Sequence, residues 1–422
     1  MSDRSLPVRP DLDQLKHQAK DLLRALRNGD ADALAEFRTH HPAPPEADAA
    51  KLADAQLALA RAYGASSWPR LVHACELSEA IWAGDAATVR RLIDTTPALL
   101  HESVRLTASN WGAPMGYAAT RGQTAIVRML HEMGARDHEH ALGRALLLGH
   151  TRTAELLHDL MGKPALPEDA LGNPAYSLNV TGTQLAFAMG ARVVLADGTQ
   201  RAPIDTVLET DSRDPEAKHA ILAMYEAHGY RFPDTAPMAL HRGRIDLLAA
   251  HLARDADLLT RTFSHEAIYP PELGCHDDVL ATHGTPLRGA TLLHMAVDFD
   301  ELEIGTWLLD QGMPVDARAA VDADGFGGHT ALFATVVSQP AFWINYQHRE
   351  PSAAFTRLLL ARGADPNARA SLRKQLHPGY GPDTLHEYRD VTPLGWGARF
   401  HREVFVNREA MRLIAEAGGQ ST

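Results

Sequence analysis

The amino-acid sequence predicts an all-α solenoid of the following kind: helix-turn-helix repeats stacked on one another, joined by short β-turn loops, several of them degenerate or interrupted by long insertions. Three observations predict it. A unit made of a short helix, a glycine turn and a longer helix recurs along the chain. The longer helix carries apolar residues at i, i+3 and i+4, a stripe that one helix alone cannot bury. The chain, at 422 residues, is too long for one small core, yet its apolar fraction of 45% is that of a protein that folds.

The elements follow in order. Within residues 1–74, "DLDQLKHQAKDLLRALRNGD" sets Leu12, Leu15, Leu22 and Leu26 along one helical face. "HHPAPPE" at 40–46 ends that pattern, and "ADAAKLADAQLALARAYGASSWPRL" forms a further helix ending at Gly64. This segment is expected to be a helical cap, since the end of a repeat array needs a polar outer face. Residues 75–261 hold degenerate copies: "LSEAIWAGDAATVRRLIDTTP" from 77, "NWGAPMGYAATRGQTAIVRMLHEMGA" from 110, "ALGRALLLGHTRTAELLHDL" from 141 and "APMALHRGRIDLLAAHL" from 236. Residues 262–288 form an insertion loop. The C-terminal repeats occupy 289–422, opening with "GATLLHMAVDFDELEIGTWLLDQGMPVDAR". They are broken by insertions at about 338–352 and 370–390.

Each unit has a physical grammar. Thr291, Thr330 and Thr392 stand where a side-chain oxygen caps the first helix. Gly122, Gly149 or Gly243 turns the chain into the second helix, whose stripe is represented by Phe355, Leu358 and Leu359. Gly134, Gly229, Gly312 and Gly363 end it, where a left-handed residue is wanted. Thr291-Leu292-Leu293-His294-Met295-Ala296, Gly363-Ala364-Asp365-Pro366-Asn367 and Thr392-Pro393-Leu394 resemble the ankyrin repeat. The resemblance covers roughly 75–420, and residues 1–74 are similar to a helical segment that precedes ankyrin arrays in bacterial proteins. It implies a partner-binding surface on the concave side, edged by projecting loops.

Composition narrows the partners. A net charge of −12 with scattered Lys and Arg argues against a nucleic-acid backbone. The N-terminal residues contain no apolar run of the secretory kind, and no stretch has the length to span a bilayer. Cys75 and Cys275 are too few for a disulfide framework. A cytoplasmic protein without cofactor or membrane association is expected.

The chain carries no GxSxG elbow, Walker loop, HExxH or CxxC pair. Cys275, His276, Asp278 and His283 crowd one insertion and are donors that a transition metal accepts. Their spacing matches no zinc module, and neighbouring side chains on an extended segment point apart. A polar binding loop is the preferred reading, and no metal is assigned. His294 occupies the histidine position of the repeat and is expected to serve local hydrogen bonding.

The function expected is therefore a non-enzymatic protein-protein interaction module. Aromatic and polar residues in the loops are the candidates for partner binding, because loops on a stiff scaffold and aromatic or Arg side chains carry interface energy. They are Trp111, His265, Glu266, Tyr269, His276, Asp278, His283, Phe326, His329, Trp343, Tyr346, His348, Tyr380, Tyr388 and Arg389. The competing role for such rings is to fold back and cover the helices. The alternative function is an enzyme or a small-molecule or metal binder, with a site built from the loops around 262–288, 338–352 and 370–390. Its acid, base or ligand groups would be His265, Glu266, Cys275, His276, Asp278, His283 and His348. At least three of these converging on one pocket would favour it.

Overall fold

The computed structural model describes residues 4–210, 213–276, 284–337, 352–375 and 384–422. The chain forms two compact units, Met1–Leu166 with Gln184–Met189 and Pro167–Thr183 with Gly190–Thr422.

In the first unit, α1 (Leu12–Arg27), α2 (Ala31–His40) and α3 (Leu52–Ala62) pack on one another, and α3 packs on α4 (Trp68–Ala83). Asp11 caps α1 by accepting the Asp13 and Gln14 N–H groups. The leucine stripe is buried at Leu15, Leu22 and Leu26 against Phe37 and Leu59. Helix α4 runs through position 74, so the expected cap and the first repeat share one helix. An extended segment before α1 is tied down by Arg105, whose Nε donates to the Leu6 carbonyl at 2.6 Å. Ser78 Oγ donates to the Val8 carbonyl at 3.0 Å.

Hairpins follow: α4 with α5 (Ala86–Thr95), α6 (Pro114–Thr120) with α7 (Thr124–Glu132), and α8 (His138–Leu147) with α9 (Thr151–Leu160). Helix α4 packs on α6 and α6 on α8, while α5 packs on α7 and α7 on α9. Each hairpin thus buries its stripe against the next, as the periodicity requires.

The second unit begins with α10 (Gly172–Tyr176), and α11 (Val180–Ala188) starts in it and ends among residues of the first. Then come α12 (Ile204–Glu209), α13 (Pro215–Ala227), α14 (Ala236–His241), α15 (Ile245–Arg254), α16 (His265–Ile268), α17 (Leu292–Asp298), α18 (Leu302–Asp310), α19 (Ala331–Val336) and α20 (Ala354–Ala361). Strands β1 (Ala370–Lys374) and β2 (His386–Val391) precede α21 (Pro393–Arg399) and α22 (Arg408–Glu416). The stacking is again like on like: α14 on α17, α17 on α19 and α19 on α21, beside α18 on α20 and α20 on α22. Helices α17 and α19, covered on both sides, are buried at every residue. In α20, Phe355 and Leu359 are buried and Leu358 is only half-buried.

Two expectations need correction. The segment 370–390 is not simply an insertion in an all-α chain, because β1 and β2 pair antiparallel, with an irregular register between Ala370 and Leu372. The cause is alternation: Ala370, Leu372 and Lys374 point inward between the more exposed Ser371 and Arg373, the period of a strand. The capping threonines also differ among themselves. Thr392 Oγ1 accepts the Gly395 N–H at 3.0 Å, and Thr291 forms a reciprocal box with His294. Thr330 holds the cap position but makes no side-chain cap bond. Its own carbonyl already accepts the Phe333 N–H at 3.1 Å in a tightened first turn.

A buried charge network crosses the second unit. Lys218 Nζ lies 2.8 Å from Glu301 Oε1, which also accepts from His219 Nε2 at 2.8 Å. Arg213 pairs with Asp298 at 3.1 Å. The Phe299 ring takes the Lys218 ammonium at 4.5 Å and the Arg213 guanidinium at 4.8 Å. Burial opposes the charge on Glu301, yet Lys218 and His219 hold its carboxyl below the usual range.

Candidate functional site

Loops of the second unit pair edge to edge. Phe263 N–H donates to the Ala290 carbonyl, and Ala320 N–H to the Gly289 carbonyl, both at 2.8 Å. Within residues 318–330, Ala319 N–H donates to the His329 carbonyl at 2.9 Å. Gly327 N–H donates to the Ser371 carbonyl at 2.7 Å, which carries the ladder onto β1. Two glycines permit this approach. A Cβ on Gly289 (φ +70°) would lie 2.7 Å from Ala320 Cβ, and one on Gly327 (φ +121°) would lie 2.0 Å from the Ala320 oxygen.

Beside this ladder lies an open cleft of about 570 Å³, with His265, Glu266, Arg288, Phe326, His329 and Arg373 among its walls. Two cations lie against the Phe326 ring, the Arg373 guanidinium 4.5 Å and the Arg389 guanidinium 4.3 Å from its centre. Arg373 is itself fixed by Asp322 and by Asp324, the latter at 2.9 Å. Asp322 accepts the Phe326 N–H at 2.9 Å. Burial opposes its ionisation, but the N–H groups of Phe326 and Asp324, with Arg373, hold its carboxyl below the usual range.

Among the lining residues, His329 is tied into the fold together with His294. His329 is 1% exposed, and its Nε2 donates to the Pro286 carbonyl at 3.0 Å. Burial, aided by the neighbouring His294, pushes its pKa down to about 3. His294 accepts from Thr291 Oγ1 at 2.9 Å and donates through Nε2 to the His329 carbonyl at 3.0 Å. Burial lowers its pKa to about 4. Neutral imidazoles here stitch one repeat to the next.

A second cleft of about 340 Å³ shares Phe263 and Glu266 with the first and extends to Asp234, Asp255 and Glu272.

The candidate residues divide by position. His265, Glu266, Phe326 and His329 gather in the larger cleft, with Arg389 against the Phe326 ring. Tyr269 is buried elsewhere, among the rings of His241, His265 and Phe299. Tyr388 is buried against Trp396, its hydroxyl 2.7 Å from His401 Nδ1. Trp111, in the first unit, is 2% exposed and packs between Trp82 and Tyr117. Trp111, Tyr269, Phe326, His329 and Tyr388 are all buried, as the competing covering role describes. Apolar surface on each ring found a place in the adjacent core. Glu266, His276 and Arg389 are exposed.

Cys275 is buried and His276 is exposed, with the His276 N–H donating to Glu209 Oε1 at 2.7 Å. Asp278, His283, Trp343, Tyr346, His348 and Tyr380 lie outside the described residues. Among the described residues no group of three His, Cys, Asp or Glu is arranged to hold a metal ion. No helix among them is long and apolar enough to cross a membrane.

Arg288, Glu272 and Arg373 were not among the candidates. Arg373 had a signal in the alternation of β1, whereas Arg288 and Glu272 are single charges in a loop with no pattern around them.

No family model matches the chain, and no curated protein matches it. Among solved structures the chain is similar to the crystal structure of human ASB11 ankyrin repeat domain, with 18% identity over 60% of this chain and 99% of that one, at a TM-score of 0.28. A likeness at that level leaves function to be argued from the residues themselves.

Proposed function

We propose that the chain is an ankyrin-type interaction module, cytoplasmic and non-enzymatic, that grips a segment of a partner protein at the laddered loops of its second unit. The observation that carries this reading is the open cleft on those loops, where His265, Glu266, Phe326 and His329 come together beside Arg288 and Arg373. Arg and aromatic side chains already positioned by their neighbours lose little freedom on binding, which favours affinity. Within this reading Glu266, His276 and Arg389 touch the partner directly, while the buried rings shape the surface beneath. The enzymatic alternative is less favoured: of its seven candidate groups only His265 and Glu266 reach the cleft among the described residues.

Photo-crosslinking tests it. A benzophenone side chain at Val321, 61% exposed on the cleft wall, is compared with one at Val404, 67% exposed and away from the cleft lining. A defined protein adduct in host cells from Val321, competed by unlabelled chain and absent from Val404, is expected. Equal labelling from both positions, or none from Val321, would count against the module.

A further inference from the structure

We propose that His131 and His138 form a two-imidazole site for a divalent transition ion of square-planar or tetragonal preference, nickel(II) or copper(II). The site belongs to the first unit and stands independently of the interaction reading above.

His131 sits in the last turn of α7, and His138 is the first residue of α8. The turn that joins them is fixed by its backbone. Gly134 N–H donates to the His131 carbonyl at 2.9 Å, and Ala135 N–H donates to the Leu130 carbonyl at 3.0 Å. Gly134, at φ +94°, makes the reversal. Just before α8, Asp137 accepts the Gly116 N–H at 3.1 Å. Both imidazoles therefore start from anchored backbone, and both are only half-buried, so solvent reaches them.

His131 Nδ1 and His138 Nε2 lie 2.8 Å apart, with the ring planes at 80°. As a hydrogen bond, this contact needs the hydrogen of one ring on its facing nitrogen. With that hydrogen on the ring's other nitrogen, two lone pairs face each other. An ion set to one side of the line between them is then bonded to both after small rotations of the rings. Neutral imidazole is the ligand form, so no proton has to leave.

The distance selects the ion. With metal–nitrogen bonds of about 2.0–2.1 Å, nitrogens 2.8 Å apart subtend about 85–90° at the ion. That is the cis pair of a square or tetragonal ion, the geometry of nickel(II) and copper(II). A tetrahedral ion such as zinc(II) needs its nitrogens about 3.3–3.4 Å apart, so the rings would have to separate. Among the described residues no group of three His, Cys, Asp or Glu is arranged to hold a metal ion, so the remaining positions go to water.

The probe is the metal alone. The full chain, stripped with a chelator, is titrated calorimetrically with nickel(II) chloride and, separately, with zinc(II) chloride. Its copper(II) complex is recorded by electron paramagnetic resonance. A nickel(II) equivalent that is lost in both His131→Ala and His138→Ala is expected, bound about tenfold more tightly than zinc(II). The copper(II) spectrum is expected to show the splitting of a nitrogen pair, which both substitutions remove. His158→Ala, which removes an imidazole bonded to the Pro164 carbonyl at 3.0 Å, is expected to leave these results unchanged. Where an alanine variant loses its helical circular dichroism, His131→Asn and His138→Asn replace it, keeping a polar group and removing the imidazole.

Nickel(II) binding that survives either substitution with unchanged affinity would overturn the site. So would a copper(II) spectrum that the substitutions do not alter, or zinc(II) bound as tightly as nickel(II). The Val321 adduct does not depend on any of these outcomes, so the metal site and the interaction module stand or fall separately.

Discussion

His294 is predicted to make the second unit acid-labile. Its imidazole, buried in α17, accepts from Thr291 and donates to the His329 carbonyl, so both ring nitrogens are committed to the neutral form. Burial sets the native pKa at about 4 against an ordinary 6.5. The sign follows from proton counting. Below pH 6.5 the unfolded chain binds a proton at this position that the native chain refuses, so stability falls as the pH falls and levels off only below about 4. The shift corresponds to a loss of about 3 kcal/mol when complete. The perturbation is His294→Asn, which keeps an acceptor facing Thr291 and removes the titrating ring. Urea unfolding, followed by circular dichroism in steps between neutral pH and pH 4, reads the transition that the substitution shifts. The variant is expected to be less stable at neutral pH, having lost the donation to His329, but to depend less on pH. Wild type and variant with the same pH slope would refute the reasoning. His329, displaced in the same direction with a pKa of about 3, leaves some acid lability in the variant.

Core and network substitutions extend the test. Leu359→Ala, at a fully buried position, is expected to cost about 2–5 kcal/mol through the cavity it leaves. Half-buried Leu358 should cost less, and exposed His276 should shift stability by about 0.5 kcal/mol or less in thermal or urea melts. Glu301→Leu strands the Lys218 ammonium without its anion and is expected to destabilise by about 3–5 kcal/mol in urea unfolding. Combining it with Lys218→Met should recover most of that loss, and a double variant no better than the single would contradict the pairing.

How legible this chain is depends on the range over which each feature is built. The hairpins could be read because their causes are local. A stripe at i, i+3 and i+4, with a glycine at the turn and another at the end, is complete within one repeat. The glycines expected to close the second helices, Gly134, Gly229, Gly312 and Gly363, all have positive φ. Strand β1 was missed because a strand of five residues is stabilised by what lies beside it, here β2 and the Gly327 loop. The network of Lys218 and Glu301 was equally invisible, since each is an ordinary helix-flank charge until folding places it 2.8 Å from the other.

The cleft shows the same division between residue type and residue role. Loop aromatics and histidines were identified as chemistry-bearing, and several of them do gather in one place. Their burial, however, is decided by partners far along the chain: the cations against Phe326 come from positions 373 and 389, and His329 is fixed by Pro286. Side chains selected by type alone thus become the supports of a surface, and under the proposed reading the less conspicuous charges around them would meet the partner. Gly289 and Gly327 explain why such a surface exists at all. By letting three loops approach within hydrogen-bonding distance, they turn separate turns into a paired ladder, so the cleft is formed before anything binds. A preformed site loses less entropy on association than a loop that must first be ordered. In this chain the proposed binding surface is therefore a product of the loop ladder, while the helices beneath supply its stiffness.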